Sequence, residues 1–404
     1  MEIPKSKILL FCILFVIIMT TFTMISGYIT VRTWMFQFFL SGVIVFLFPG
    51  IFFEKSIFYL LLYFTVLLVN WQSGDGFFNI TRVLVEFTQY FIYASIFIIL
   101  TQQEEFKMLY VIVKVCLIIA AVTAVLTITF AITNPDVVRS LVAMSNDPNQ
   151  SETLRSFYRI GITNYALPHA LPFIFSPIIF LLKNVPVRKK VILFFFFILL
   201  ILLVYFSGAT TPIILSILVI TTSMIVSQEI SIEENIFRIC CLFIVFSILC
   251  NDFVVSNIIQ LIDPIVQGTP IQQKVPEIEK FLMDGESTGD LDARITLYNK
   301  TWDAFLNNIL IGTDDATQIG GHCYFADRLG MLGLIGGVPL ILFFYSQFRY
   351  SYTFISKERR IYFFIGLICF IILGFIKNMS GIEYWLYSLV LLPTFCINKN
   401  QEDS

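Results

Sequence analysis

The chain has 404 residues, of which 57% are hydrophobic and 13% are charged, whereas about 25% of residues are charged in an ordinary soluble domain. Its formal net charge is −2, and it has no basic stripe interleaved with aromatic residues, which argues against a nucleic-acid-binding protein. The composition indicates a polytopic membrane protein. Such a chain crosses the bilayer as helices, because hydrocarbon offers the backbone amides no hydrogen-bond partners.

Apolar runs separated by polar breaks predict about twelve membrane spans, since a helix needs roughly 20 apolar residues to cross the hydrocarbon. In chain order the spans cover residues 8–28, 33–53, 56–72, 83–101, 108–132, 168–183, 191–207, 212–227, 236–251, 329–346, 361–377 and 382–397. The first run follows a basic start, as in a signal peptide, but it is too long and lacks a small-residue cleavage site. The sequence therefore predicts an all-α protein in which residues 1–404 form a single integral membrane domain.

Lysines and arginines are distributed unevenly between the two sides that these spans define. The side that holds both termini carries Lys5, Lys7, Lys55, Lys107, Lys183, Arg188, Lys189, Lys190, Arg238, Arg349, Lys357, Arg359, Arg360 and Lys399. Short segments on the opposite side carry only Arg32, Arg82 and Lys377. Because short cytoplasmic loops are enriched in positive residues, this bias predicts that the N- and C-termini are cytoplasmic.

Two long loops, residues 133–167 and 252–328, are predicted on the outer side. Loops of this length are usually functional or disordered. His322 lies in the second loop and His169 at the exit of the first, and the chain has no other histidine. The loops also hold Arg139, Arg155, Arg159, Lys274, Lys280, Arg294, Lys300 and Arg328. This concentration favours a site that binds an anion, and the alternative is a solvated cap with scattered ion pairs.

Ionisable residues also occur inside the predicted spans. Glu86 and Lys114 are such residues, and charged groups within a membrane are usually functional or paired. Their spacing does not show whether they face each other.

The chain lacks the patterns that are typical of a protein-held metal or a nucleotide cofactor. It has no CxxC, no HExxH and no histidine pair at metal-ligand spacing. It also has no GxxxxGK motif and no strand-linked GxGxxG, and the glycines of 330–337 are interpreted as small residues that allow close helix packing. Neither a metal nor a cofactor is expected.

Three segments on the outer side share a pattern of arginine, aromatic, glycine and histidine residues. They contain Arg159, Gly161 and Asn164 in the first segment, Arg294, Trp302, Phe305, Asn308 and Gly312 in the second, and His322, Tyr324 and Gly330 in the third. In their order and their position relative to the spans, these segments resemble the superfamily of O-antigen polymerases and O-antigen ligases of the bacterial envelope. The resemblance covers most of the chain by layout and these three segments by motif.

The resemblance implies a GT-C-like helix bundle in the bacterial inner membrane, with a metal-independent active site at the periplasmic face. Members of the superfamily transfer a glycan from an undecaprenyl diphosphate carrier to an acceptor. The expected function is a polymerase that joins undecaprenyl-diphosphate-linked repeat units of an O-antigen or capsule, and the alternative is a ligase that transfers the glycan to lipid A core. A flippase for the same units is the alternative among transporters. The expected partners are the lipid-linked oligosaccharide, membrane lipid and a chain-length regulator protein.

The transfer releases a diphosphate, which cations stabilise while a base removes the proton of the acceptor hydroxyl. The resemblance therefore implies that Arg159 and Arg294 clamp the diphosphate, since arginine pairs bidentately with phosphate oxygens; structural ion pairing is the alternative. His322 is expected to contact the diphosphate or the reacting hydroxyl, and otherwise to cap the following helix. The residues expected to bind substrate are Trp302, Tyr324, Asp327, Arg328, Asn164 and Thr210.

Two positions depart from the family pattern. Members often carry an arginine in the short outward turn that here runs from Ser207 to Pro212, so Thr210 or Thr211 would supply only a weaker hydroxyl donor. The residue after the histidine is Cys323, where the family has asparagine.

Overall fold

The computed structural model describes residues 4–29, 33–73, 80–134, 151–227 and 290–397, with isolated positions in 137–144 and 230–241. These residues are largely helical and contain no β-strand, so the expectation of an all-α protein is confirmed. The helices are α1 (Lys5–Thr21), α2 (Thr23–Ser26), α3 (Trp34–Leu47), α4 (Lys55–Ser73), α5 (Ile80–Gln102), α6 (Phe106–Ala131), α7 (Ser151–Ile160), α8 (Ala166–Ala170), α9 (Pro172–Asn184), α10 (Val187–Phe206), α11 (Thr210–Ile225), α12 (Asp290–Asn307), α13 (Tyr324–Tyr352), α14 (Arg360–Ile376), α15 (Ile382–Leu386) and α16 (Leu392–Cys396).

Hydropathy and helix length together identify a membrane protein. Within the described residues, five segments are long and apolar enough to cross a membrane: Val83–Gln102, Phe106–Ala131, Val187–Phe206, Tyr324–Tyr352 and Lys357–Ile376. Shorter apolar helices cover Trp34–Leu47, Lys55–Asn70, Pro172–Asn184, Thr210–Ile225 and Ile382–Cys396. Almost all of the predicted span 236–251, and the loop residues 252–289, lie outside the described residues.

The most buried part of the protein surrounds α5 and the C-terminal helices. A π-helical turn, Tyr387–Leu391, joins α15 to α16, and the whole segment Ile382–Ile397 is buried. This segment packs against α5 and α9. The ring of Trp385 meets the ring of Tyr90 edge to face at 4.5 Å between centroids. The last predicted span therefore lies in the interior of the bundle.

The outer surface carries many large apolar side chains. Phe11, Phe46 and Ile192, for example, are exposed by 72%, 84% and 73%. Soluble monomers rarely expose extended apolar surface. In a membrane, lipid chains cover such side chains and keep them out of contact with water. The surface agrees with the membrane assignment.

α13 carries the third outer segment into the bundle and is broken in its first half. Gly333 has φ +55° and ψ −156°, which are not helical angles. α13 packs along α4, and α12 packs on α13. The turn 320–323, which precedes α13, therefore lies at one end of the bundle. Residues of α12 and the end of α14 lie next to this turn.

Candidate functional site

A group of basic side chains lies where α12, the turn before α13 and the end of α14 meet. Arg294 lies in α12, His322 in the turn, and Lys377 directly after α14. The amide of Tyr324 donates to the carbonyl of Lys377 at 3.1 Å, which joins the end of α14 to the start of α13. Arg294, His322 and Lys377 are called the basic cluster below.

The charges of the basic cluster act on one another. Burial, together with the positive charge of Arg294, lowers the pKa of Lys377 to about 8. Partial burial, followed by the charges of Arg294 and Lys377, lowers the pKa of His322, while the carboxylate of Asp327 opposes this shift. Among the described residues, no carboxylate forms an ion pair with Arg294 or Lys377. Positive charge that is not neutralised in this way favours the binding of an anion.

The turn that carries His322 is held by the carboxylate of Asp327, which is only 5% exposed. This carboxylate accepts hydrogen bonds from the amides of Cys323 at 2.9 Å and Gly321 at 3.3 Å, on either side of His322. It also accepts one from the hydroxyl of Thr301 at 2.9 Å, which ties α13 to α12. These contacts make Asp327 a positioning residue for the turn.

The basic cluster reaches the first outer segment through Lys377. Its ammonium nitrogen lies 4.3 Å from the centre of the Tyr165 ring, and that ring lies 4.4 Å from the ring of His169. His169 is fully buried, and its Nδ1 lies 2.8 Å from the carbonyl oxygen of Tyr165. These contacts place His169 in the packing around α8 and bring the first and third outer segments together.

Asn164 has two structural partners. Its side-chain amide donates to the buried carboxylate of Glu383, and its Oδ1 accepts a hydrogen bond from the amide of Leu167 at 3.0 Å. The first partner fixes the segment before α8 to α15, and the second satisfies an amide at the start of α8. Asn164 therefore holds this segment against the centre of the bundle.

A buried ion pair lies behind the basic cluster. Arg328 donates to Oε2 of Glu86, and the hydroxyl of Tyr63 donates to Oε1 at 2.8 Å. The hydroxyl oxygens of Tyr90 and Tyr324 lie 3.1 and 3.3 Å from the same Oε1. Tyr90 and Tyr324 also share a short hydrogen bond between their hydroxyls. Tyr324 and Arg328, which were expected to bind substrate, thus join α13 to α4 and α5.

A small cavity that both polar and apolar side chains line borders this network. Its volume is about 60 Å³, enough for ordered water if polar partners line it. The residues that supply such partners are Glu86, Gln89, Tyr324, Arg328, Asn378 and Ser380. Asn378 also donates to the carbonyl of Gly321 at 3.3 Å. The cavity therefore connects the buried pair with the segment that follows Lys377.

Arg159 lies in different surroundings from Arg294. In α7, Arg159 forms an ion pair with Glu152 at 3.1 Å and donates from Nε to the carbonyl of Gly27 at 3.1 Å. Its guanidinium also lies 5.5 Å from the centre of the Tyr28 ring. Within the described part of the chain, no contact links Arg159 with Arg294. The structure thus brings Arg294 and His322 together and gives Arg159 partners of its own.

The two other predicted substrate-binding residues lie at the surface of the helices. Trp302 in α12 is 49% exposed, and its ring lies 5.4 Å from that of Phe305. Thr210 is partly exposed and begins α11. Lys114 is exposed on α6, while the partner of Glu86 is Arg328.

Sequence reasoning missed two residues that shape the site. In the sequence, Lys377 is one charge in a short segment, and nothing marks Glu383 as part of a site. The turn that follows Lys377, Asn378 to Gly381, is short and polar between two apolar helices. That feature was the available signal, because a cation in such a turn lies at the same end of a bundle as the outer loops.

The chain matches no family model, no curated protein and no solved structure. The residues of the site offer two cations without a described carboxylate partner, a histidine with a lowered pKa, and a turn whose position is fixed by buried hydrogen bonds.

Proposed function

We propose that the protein is a membrane-embedded glycosyltransferase that moves a glycan from a lipid diphosphate to an acceptor hydroxyl. The observation that carries this proposal is the basic cluster, where Arg294 and Lys377 act on a histidine whose pKa is lowered. The resemblance of the outer segments to O-antigen polymerases and ligases narrows the donor to an undecaprenyl-diphosphate-linked oligosaccharide. Within that superfamily we favour a polymerase of O-antigen or capsular repeat units.

The proposed setting is the outer face of the bacterial inner membrane. The uneven distribution of lysine and arginine supports cytoplasmic termini, and with that orientation the basic cluster faces the periplasm. An anionic lipid headgroup can then reach the cluster from the outer leaflet. The proposal keeps the about twelve spans and the GT-C-like arrangement that the sequence predicts.

Arg294 and Lys377 hold the diphosphate in this proposal. Arginine presents a planar fork that pairs with two phosphate oxygens, and lysine adds a compact positive charge. Lys377 supplies a cation that the family resemblance does not include, in a chain whose turn from Ser207 to Pro212 lacks the family's arginine. Neither cation has a carboxylate partner among the described residues, so binding a diphosphate breaks no ion pair within that part of the chain.

His322 acts as the base in this proposal. Its pKa is lowered, so its ring is neutral at pH 7 and can accept a proton. The acceptor hydroxyl gives its proton to the ring nitrogen, and its oxygen forms a bond to the anomeric carbon of the donor. The bond between that carbon and the diphosphate oxygen breaks, and the electron pair leaves with the diphosphate. Arg294 and Lys377 stabilise the negative charge that develops there.

The test is complementation of a deletion strain, read as the banding profile of surface polysaccharide. Arg294→Ala, Lys377→Ala and His322→Ala are each expected to leave single repeat units in place of a ladder. Lys300→Ala is the matched control, because Lys300 is an exposed cation on the same helix as Arg294. Full ladders from all three site variants at normal protein levels would refute the site assignment.

A transporter is the second candidate, and one observation favours it. Glu86 and Arg328 form a nearly buried ion pair within apolar helices, and charged groups at such positions often belong to transport pathways. The deletion strain separates the classes. Loss of a polymerase leaves single units on the surface, loss of a ligase leaves bare core with carrier-linked polymer, and loss of a flippase traps units inside the cell.

A further inference from the structure

The end of α12 and the turn after it run alongside α13 in the same direction. Thr301 contacts Asp327 near the start of α13, whereas the carbonyl of Leu310 accepts a hydrogen bond from the amide of Ile335, farther along the same helix. The predicted span that contains α13 begins at Leu329, six residues before Ile335. The contact at Ile335 therefore lies well past the start of the apolar part of α13.

The break at Gly333 exchanges hydrogen bonds between the two segments. A regular helix would join the amides of Leu334 and Ile335 to the carbonyls of Gly330 and Met331. Those amides instead donate to the carbonyls of Ile309 and Leu310, at 2.8 and 3.0 Å. These two amides and two carbonyls therefore satisfy each other without water.

The carbonyls freed on α13 have partners as well. The carbonyl of Gly330 accepts from the amide of Thr313 at 3.0 Å, and that of Met331 accepts from the side chain of Asn70 at 3.4 Å. Non-helical backbone is tolerated at membrane depth only where protein or enclosed water satisfies its polar groups. The segment after α12 meets that condition for these groups.

The side chains of this segment are apolar and exposed. Trp302, Leu306, Ile309, Leu310 and Ile311 are exposed by 49%, 51%, 44%, 64% and 67%. Their surface continues onto Leu334, Ile335 and Val338 of α13, which are exposed by 38%, 53% and 43%. The helix α13 is among those apolar enough to cross a membrane. The patch is therefore continuous with a surface that lipid covers.

The adjacent face of α12 is polar. Asp303 and Asn307 are exposed on α12, one helical turn apart, while Trp302 and Leu306 form an apolar pair at the same spacing. With these two faces side by side, α12 can turn one toward acyl chains and the other toward water.

We propose that residues 302–312 form a re-entrant element that dips into the outer leaflet, with lipid acyl chains covering Trp302, Leu306 and Ile309–Ile311. This inference rests on α13 crossing the membrane and does not depend on the proposed enzyme activity. Its consequence is that Arg294, earlier in α12, and His322, before α13, lie at the level of lipid headgroups. An anion carried by a membrane lipid would meet them without leaving the bilayer.

Spin labels on the full-length protein in phosphatidylcholine vesicles test this inference. Leu310→Cys and Ile311→Cys carry the label, and Asp303→Cys and Asp314→Cys are controls at exposed polar positions, in a background without the native cysteines. The labels at positions 310 and 311 are expected to collide with dissolved oxygen and not with a water-soluble nickel chelate, and the controls are expected to show the reverse. Free access of the chelate to 310 and 311 would overturn the inference. Low access of both reagents would also overturn it, because it would place protein over the patch.

A second measurement uses the protein with its native cysteines in place. Quenching of tryptophan fluorescence by brominated lipids is compared between the unmodified protein and Trp302→Phe. The fluorescence of Trp302 is the difference between the emission of the two proteins. We expect it to be quenched most by bromines near the headgroup end of the acyl chains. An unquenched Trp302 component would contradict insertion even if the cysteine-free background failed to fold.

Discussion

Glu86 of α5 and Arg328 of α13 form an ion pair inside the bundle, where their side chains are 12% and 9% exposed. Removing two charges from water is costly unless each keeps its partner and its hydrogen bonds. The pair fixes α13 against α5. Because Asp327 directly precedes Arg328, the same contact determines where the turn that carries His322 lies.

We expect the loss of one member of the ion pair to lower the free energy of unfolding far more than the loss of both members. Arg328→Met leaves the Glu86 carboxylate without its cation and is expected to lower the free energy of unfolding by about 3–5 kcal/mol. The double variant Glu86→Gln, Arg328→Met is expected to recover most of that loss. Denaturant unfolding of the purified protein in micelles measures both. A double variant that regains stability and lacks transferase activity would support the prediction that Arg328 binds substrate. An Arg328→Met protein of unchanged stability would contradict the role of Arg328 in the ion pair.

The pH dependence of transfer is expected to follow His322. Because its pKa is lowered, the neutral ring persists below the ordinary value of about 6.5, and the acid limb of the rate profile should lie below that pH. Arg294→Gln removes one of the charges that lower this pKa, so the remaining activity should lose its acid tolerance and the limb should move toward neutral pH. Lys300→Gln should leave the limb in place. A limb that stays fixed in Arg294→Gln would mean that another group titrates.

The hydrophobic pattern predicted the helices because burial in lipid leaves a continuous apolar run in the sequence. The helix α10, for example, follows the predicted span 191–207 closely. Arg294 and His322, which the sequence places in one long polar segment, also lie in one cluster. Both predictions rest on the hydrophobicity or polarity of consecutive residues, which the sequence shows directly.

The contacts between distant residues could not be read in the same way. Glu86 and Arg328 are separated by 242 positions, and nothing in either surrounding segment identifies the other as its partner. Asp327 was one of several acidic residues in a polar loop, and only the fold shows that its carboxylate faces the amides of Gly321 and Cys323. Lys377 belonged to a short turn, so its approach to Arg294 depended on how α12 and α14 pack.

Lys377 is expected to react with amine reagents at unusually low pH. Its pKa is lowered from 10.5 to about 8, so about half of the amine is neutral at pH 8. The protonated amine is disfavoured in the folded state, and that cost is present below pH 8 and is relieved as the pH rises from 8 toward 10.5. Lys377→Met should therefore raise the melting temperature at pH 7 and have little effect near pH 11. Competitive labelling against Lys300, followed by mass spectrometry, checks the pKa, and an equal reactivity profile for the two lysines would contradict it.

Asp327 is expected to act on catalysis through position. Asp327→Ala leaves the amides of Gly321 and Cys323 and the hydroxyl of Thr301 without their acceptor, at a cost of about 1–3 kcal/mol for a buried unsatisfied group. The turn should become mobile and the turnover number should fall, while the affinity for the lipid donor should change less. Asp327→Asn keeps an acceptor oxygen and should recover part of the turnover. If Asp327→Ala changes only the apparent affinity, the residue contacts substrate.

Gly333 is expected to tolerate no side chain. Its φ of +55° with ψ −156° lies in a region that only glycine adopts readily, and a Cβ there would come within 2.5 Å of the carbonyl of Leu310. Gly333→Ala should therefore cost at least about 1–3 kcal/mol of stability and separate α13 from the segment 309–313. Gly42→Ala is the matched control, because a Cβ at Gly42 in α3 meets nothing within 4 Å and alanine favours a helix by up to about 1 kcal/mol. Unfolding midpoints in micelles give the comparison, and a Gly333→Ala protein as stable as Gly42→Ala would show that the break in α13 does not need glycine.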